Sequence, residues 1–139
     1  MKNEREILQQ SKVIACVGIS PNNQQIANRV SRILQHWGYK IVPVNPLYKC
    51  VISEQSYPTL MSVPFLVDIV LIYRQNQYIA KHVDEAISIG APTVWMPLSV
   101  TDKESAKKAK AAGLDVIMDR CIECTAIDLG LFPKHQLGD

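Results

Sequence analysis

Residues 12–46 read KVIACVGISPNNQQIANRVSRILQHWGYKIVPVNP, and the expectation for the rest of the chain grows from this stretch. An apolar run, Val13 to Val17, leads into Gly18 and a polar turn. A helical pattern follows, with Ile26, Val30, Ile33, Leu34 and Trp37 spaced three and four apart and Gly38 as its stop. A second apolar run, Ile41 to Val44, ends at Asn45-Pro46. Apolar run, turn, helix and apolar run make a βαβ unit. In such a unit the turn after the first strand meets a helix N-terminus, whose free N–H groups and dipole favour an anion such as phosphate.

Working outward, residues 2 to 11 form a short leading helix gripped by Ile7 and Leu8. The run from Pro46 to Pro58 shows no periodicity, and Leu60 to Val63 is at most one helical turn. Val67 to Tyr73 is the third strand, and a helix from about Gln77 to Ile89 stops at Gly90. Thr93 to Met96 is the fourth strand. A helix over Asp102 to Ala112 has Thr101 or Asp102 as N-cap and Gly113 as its stop. Asp115 to Met118 is the fifth strand, followed by a tail, 119–139, with a short helix around Thr125 to Leu129. The strand runs are continuously apolar, as in parallel strands buried on both faces. Strands alternating with helices predict a doubly wound, Rossmann-like α/β domain with a five-stranded parallel sheet and right-handed crossovers. Ligands of such sheets sit beyond the carboxyl ends of the strands. That crevice is expected to be faced by Gly18 to Asn22, Val44 to Pro46, Tyr73 to Asn76, Met96 to Ser99 and Asp119 to Cys121.

The 139 residues fit one domain, 1–139, with 47% hydrophobic and 20% charged residues. A net charge of +2 without a basic stripe argues against nucleic acid. Lys103, Lys107, Lys108 and Lys110 read as a solvated helix face. No apolar run nears the ~20 residues of a membrane span, and the polar N-terminus is unlike a signal peptide. A cytoplasmic protein with reduced cysteines is expected.

The dinucleotide fingerprint asks for three glycines in the first turn and an acid after the second strand. Here there is one glycine, then Ser20, and Asn45 stands where the acid would be. That speaks against an ordinary NAD site. A tight turn with no ligand, and Ser20 as a helix N-cap, remain open on this motif alone.

VIACVGISPN (13–22) followed by GYKIVPVNP (38–46) resembles the small single-domain CoA-binding proteins. These are similar to the CoA-binding N-terminal domain of the succinyl-CoA synthetase α subunit. The resemblance continues through VDIVLIYR (67–74), VDEAISIGA (83–91), TVWMPLSV (93–100) and AAGLDVIMDRC (111–121). It implies CoA or an acyl-CoA bound along the strand ends. Gly18, Ser20 and Pro21, with Ile19 and Asn22 in the same turn, would line the pyrophosphate. Val44, Asn45 and Pro46 would edge the adenosine end, and Tyr73 and Arg74, with Met96 beyond, would lie beside the ligand. The family commonly has an Arg-Pro-Ser-type segment where this chain has Gln25, Ile26 and Ala27, so two polar anchors are absent. Its Gln-x-Gly after the fourth strand is here Pro97-Leu98-Ser99. The synthetase's catalytic phosphohistidine belongs to a second domain that the resemblance does not cover.

Other chemistry is sparse. Cys121 and Cys124 have C-x-x-C spacing, which serves a redox couple or half a zinc site. A thioredoxin-like placement requires a helix that begins near Cys121. No second C-x-x-C or H-x-x-x-H supplies further metal ligands, and Cys16 reads as core. His36, His82 and His135 read as surface or helix-end residues remote from the crevice, and Asp119 as a cap or a partner of Arg120. The expected function is recognition of a small-molecule nucleotide, CoA or an acyl-CoA, with no catalytic residues and no metal. A redox-active or NAD(P)-responsive protein using Cys121 and Cys124, or a degenerate pocket with a structural role, are the alternatives. A protein partner is left open.

Overall fold

The computed structural model describes residues 1–133. Its elements are α1 (Glu4–Gln10), β1 (Val13–Val17), α2 (Ile26–His36), β2 (Lys40–Val44), β3 (Cys50–Val51), β4 (Glu54–Gln55), β5 (Ile69–Ile72), α3 (Ile79–Ser88), β6 (Thr93–Trp95), α4 (Lys103–Ala111), β7 (Asp115–Ile117) and α5 (Ile122–Asp128). One all-parallel sheet runs β2-β1-β5-β6-β7. Parallel neighbours need long crossovers, and α2, α3 and α4 supply them. From β1 the chain crosses to β2 on one side, whereas β5, β6 and β7 build out on the other. The order therefore switches between β1 and β5, where doubly wound sheets open a ligand crevice.

Each strand feeds two cores. Ile14 and Cys16 of β1 point into the cluster under α1, α2 and α5, while Ala15 and Val17 point into the cluster under α3 and α4. Ile69 and Leu71 of β5 divide from Val70 and Ile72 in the same way. Successive strand residues face opposite sides, so two apolar faces demand an unbroken apolar run. This is the doubly wound, Rossmann-like sheet that the sequence predicts. Burial pushes the Cys16 thiol up to about 12, with the Ser31 hydroxyl opposing.

Three elements differ from expectation. Cys50–Val51 and Glu54–Gln55 pair as a small antiparallel hairpin inside the stretch that lacks periodicity. Its turn puts Ile52 and Ser53 at φ of 48° and 64°, so the usual glycine signal of such a turn is absent. The third strand is shorter than 67–73, covering Ile69–Ile72. The last helix starts at Ile122, directly after Cys121, rather than near Thr125.

Candidate functional site

Gly18 ends β1 with φ +93°, and its N–H donates to the Val44 carbonyl at 3.0 Å. A Cβ built there would lie 2.2 Å from the Tyr73 carbonyl oxygen. Glycine is therefore required twice, by a left-handed φ and by the backbone of β5 pressing on the turn. Both requirements hold without any ligand.

Beyond Gly18 the turn is held by side-chain amides. Gln25 reaches back: its Oε1 accepts the Ser20 N–H at 2.7 Å and its Nε2 donates to the Gly18 carbonyl at 2.9 Å. Asn28 donates to the Ser20 carbonyl at 2.8 Å. Asn45 donates to the Ile19 carbonyl at 3.0 Å and accepts from the Leu47 N–H. The residue standing where a dinucleotide site has its acid thus ties the β1 turn to the β2 turn. Ser20 is not the cap of α2; Gln25 holds that position and makes no side-chain bond to the first helical N–H groups. Those groups face the turn without a side-chain cap.

Arg74 follows β5 and stands over Gly18, its Cδ 3.1 Å from where a Gly18 Cβ would be. Its guanidinium sits 4.3 Å from the centre of the Tyr78 ring. It borders two openings. One, of about 380 Å³, is also lined by Gln25, Ile26, Ala27, Tyr73, Gln75, Asn76, Ser99 and Val100. The other, of about 60 Å³, is lined by Val17, Val44, Pro46, Pro58, Thr59, Lys81, His82 and Glu85.

His82 corrects the expectation of a remote surface histidine. It is 6% exposed, and its Nδ1 lies 2.7 Å from Glu85 Oε1. Burial lowers its pKa, with the Glu85 hydrogen bond and charge opposing. His36 is exposed as expected, and His135 lies outside the described residues. Asp119 is corrected too. It adopts φ 60° and accepts the Ser99 N–H at 2.7 Å, while Arg120 pairs with Glu4 at 3.2 Å.

A larger opening, about 470 Å³, lies at the opposite end of the sheet, among Leu8, Gln9, Ser11, Lys12, Trp37, Gly38, Tyr39, Leu131 and Phe132. It lies at the amino end of β1, away from the β1 and β5 turns. Among the described residues no three His, Cys, Asp or Glu side chains are arranged to hold a metal ion, and no helix is long and apolar enough to cross a membrane.

The family model described as the CoA binding domain matches residues 12–126. The chain belongs to this CoA-binding domain family. It is 33% identical over 119 residues to the uncharacterized protein YneT of Bacillus subtilis, covering 86% of this chain and 88% of that one. It is 24% identical over 121 residues to the ADP-forming acetate–CoA ligase I of Archaeoglobus fulgidus, and the match spans 80% of this chain but 18% of the ligase. A solved structure of a hypothetical protein from Pyrococcus horikoshii OT3 superposes with a TM-score of 0.88 at 35% identity, covering 91% of this chain and 89% of that one.

At the crest of this CoA-binding domain, the sequence-predicted residues fall into two groups. Gly18, Ser20, Pro21 and Asn22 lie in the turn after β1, which Asn45 joins to Pro46 in the turn after β2, and Tyr73 and Arg74 press on Gly18 from the end of β5. Ile19, Val44 and Met96 keep their side chains in the core. Met96 also commits its N–H to Ile117 and its carbonyl to Arg120, so it has no group left to offer the crevice. Ile19 has only backbone to offer, while Val44, though buried, forms part of the wall of the smaller opening. Sequence reasoning missed His82, Glu85 and Gln25. The first two stand one helical turn apart on α3, a pairing visible in the spacing. Gln25 carries no local signal, because its partners lie five and seven residues earlier.

Proposed function

We propose that the chain binds CoA or an acyl-CoA across the carboxyl ends of β1, β2 and β5, by recognition and without catalytic machinery of its own. The observation that carries this reading is the placement of Arg74. It borders both openings and stands over the Gly18 turn, so an extended anionic ligand spanning them passes its forked donors. The uncapped first N–H groups of α2 add donors on the larger side. Gln25 takes the place of a phosphate at the turn, since its Oε1 accepts the Ser20 N–H. A phosphate arriving there displaces it. Lys81 lines the smaller opening and adds positive charge on that side.

The test is a thermal-shift and calorimetry comparison of CoA, acetyl-CoA, NAD, NADP and ATP. A ligand at 100 times its Kd adds about 2.7 kcal/mol of stability, so binding is read directly. CoA species are expected to bind, and Arg74→Ala to weaken them by about 1.5–3 kcal/mol, the range for hydrogen bonds to charged groups. Binding of NAD alone overturns the reading of Asn45. Binding of nothing identifies a degenerate pocket.

A further inference from the structure

Cys121 caps α5 and Cys124 lies one turn on, the placement that a C-x-x-C redox pair requires. The Cys124 N–H donates to Cys121 Sγ at 3.4 Å. The neighbouring Cys121 side chain, then burial and nearby charge, push the Cys124 thiol up to about 11. The Cys124 N–H thus points at the Cys121 sulfur, and Cys124 keeps its proton near neutral pH. Side chains three apart on a helix have Cβ atoms about 5–6 Å apart, within a small adjustment of the ~3.5–4.5 Å in a disulfide. Both are free thiols; Cys121 is half-buried and Cys124 exposed.

The pair is connected to the opening of about 380 Å³ beside Arg74 through its neighbours. Glu123, between the two cysteines, is 6% exposed and pairs with Arg29 of α2 at 3.4 Å. The first turn of that helix, Ile26 and Ala27, lines the opening. Tyr73 lines it too, and its phenol is pushed up by burial first and then by charge on Cys16, Cys121, Glu123 and Cys124. Trp95 Nε1 donates to the Arg120 carbonyl at 2.9 Å, which anchors the residue before Cys121 across the end of β6.

We infer that Cys121 and Cys124 form a thiol–disulfide exchange site that reduces the disulfide of CoA. The inference rests on the CoA reading above. The Cys121 thiolate attacks one sulfur of CoA disulfide, the S–S bond breaks, and one CoA leaves as a thiolate that takes up a proton. Cys121 then carries the other CoA in a mixed disulfide. Cys124 gives its proton to water and attacks Cys121 Sγ, and the second CoA leaves and is protonated. The protein dithiol is oxidised to a disulfide by two electrons, and one CoA disulfide becomes two CoA thiols.

The experiment uses the full chain carrying Cys50→Ser, which removes the exposed cysteine of β3. Cys16, fully buried, serves as an unreactive control. Reduced protein is mixed with CoA disulfide or, in parallel, with glutathione disulfide; released thiol and intact mass are followed. Recognition next to the thiols raises their effective concentration. CoA disulfide is therefore expected to react roughly tenfold or more faster than glutathione disulfide, releasing two CoA thiols per chain. Cys124→Ser is expected to stop at a covalent CoA adduct. Cys121→Ser, which keeps a capping side chain, is expected to lose the reaction while unfolding as the parent does. Equal rates for the two disulfides, or no adduct on Cys124→Ser, overturn the inference. If reduced protein still binds CoA in the calorimeter, the binding reading survives that failure; if it does not, both fall.

Discussion

At the amino end of the sheet, Trp37 lies flat on Phe132 with ring centres 4.6 Å apart, and Tyr39 meets Phe132 edge-on at 5.8 Å. At the carboxyl end, Gln25, Asn28 and Asn45 reach backbone groups of the Gly18–Ser20 turn. The aromatic end holds its shape by contact area, which is tolerant of direction. The amide end holds it by hydrogen bonds, which are not. The larger opening belongs to the aromatic end, yet the donors of the proposed anion site belong to the other. On the proposed reading volume alone picks the wrong end, because ligand chemistry follows directed polar groups rather than space.

The most severe break of this contrast is Gly18→Val. Its Cβ would collide with the Tyr73 carbonyl at a left-handed φ, and a loss of about 3 kcal/mol or more in urea unfolding is expected. A loss below ~1 kcal/mol would mean that the crest adapts as freely as the aromatic end. Next is Trp37→Ala, expected to cost about 2–3 kcal/mol through lost stacking and burial, with CoA affinity unchanged by calorimetry. A fall in affinity would show that the two ends are coupled. Gln25→Ala sharpens the picture at about 1 kcal/mol, the net worth of a hydrogen bond. Stability is expected to fall, and CoA affinity to rise several-fold because Ser20 N–H no longer has a competing acceptor. A fall in both would make Gln25 a ligand contact instead.

The smallest effect is the pH response of His82, which faces Glu85, Arg74 and Lys81. Burial holds its pKa below the usual ~6.5, so on acidification the unfolded chain takes up this proton first. Its contribution is full above about 6.5 and declines as pH falls toward the lower folded value. His82→Gln is expected to flatten that part of a stability-against-pH curve, and an unchanged slope would remove His82 as its source.

Much of the fold was legible because two-sided burial leaves an unbroken apolar run, and helix ends leave glycines such as Gly38 and Gly113 at positive φ. The hairpin at Cys50–Gln55 was not, since two-residue strands show no periodicity and Ile52 and Ser53 take positions usually given to glycine. The start of α5 was hidden by a cysteine in the capping position. His82 was misread because its neighbours on the stripe, Ile79 and Val83, say nothing of Pro58 and Thr59, which share its crevice. Gln25 looked like a lost anchor because one can count a missing arginine in a sequence, but not an amide folding back on its own turn.

Arg74 has a further consequence. Its stem rests on the Gly18 turn and its guanidinium on Tyr78, so both ends of the side chain have contacts of their own before a ligand arrives. Immobilising a free arginine costs about 0.5–1.5 kcal/mol at the moment of binding. On the proposed reading, part of that ordering belongs to folding, and an incoming anion would meet a fork already held against Tyr78.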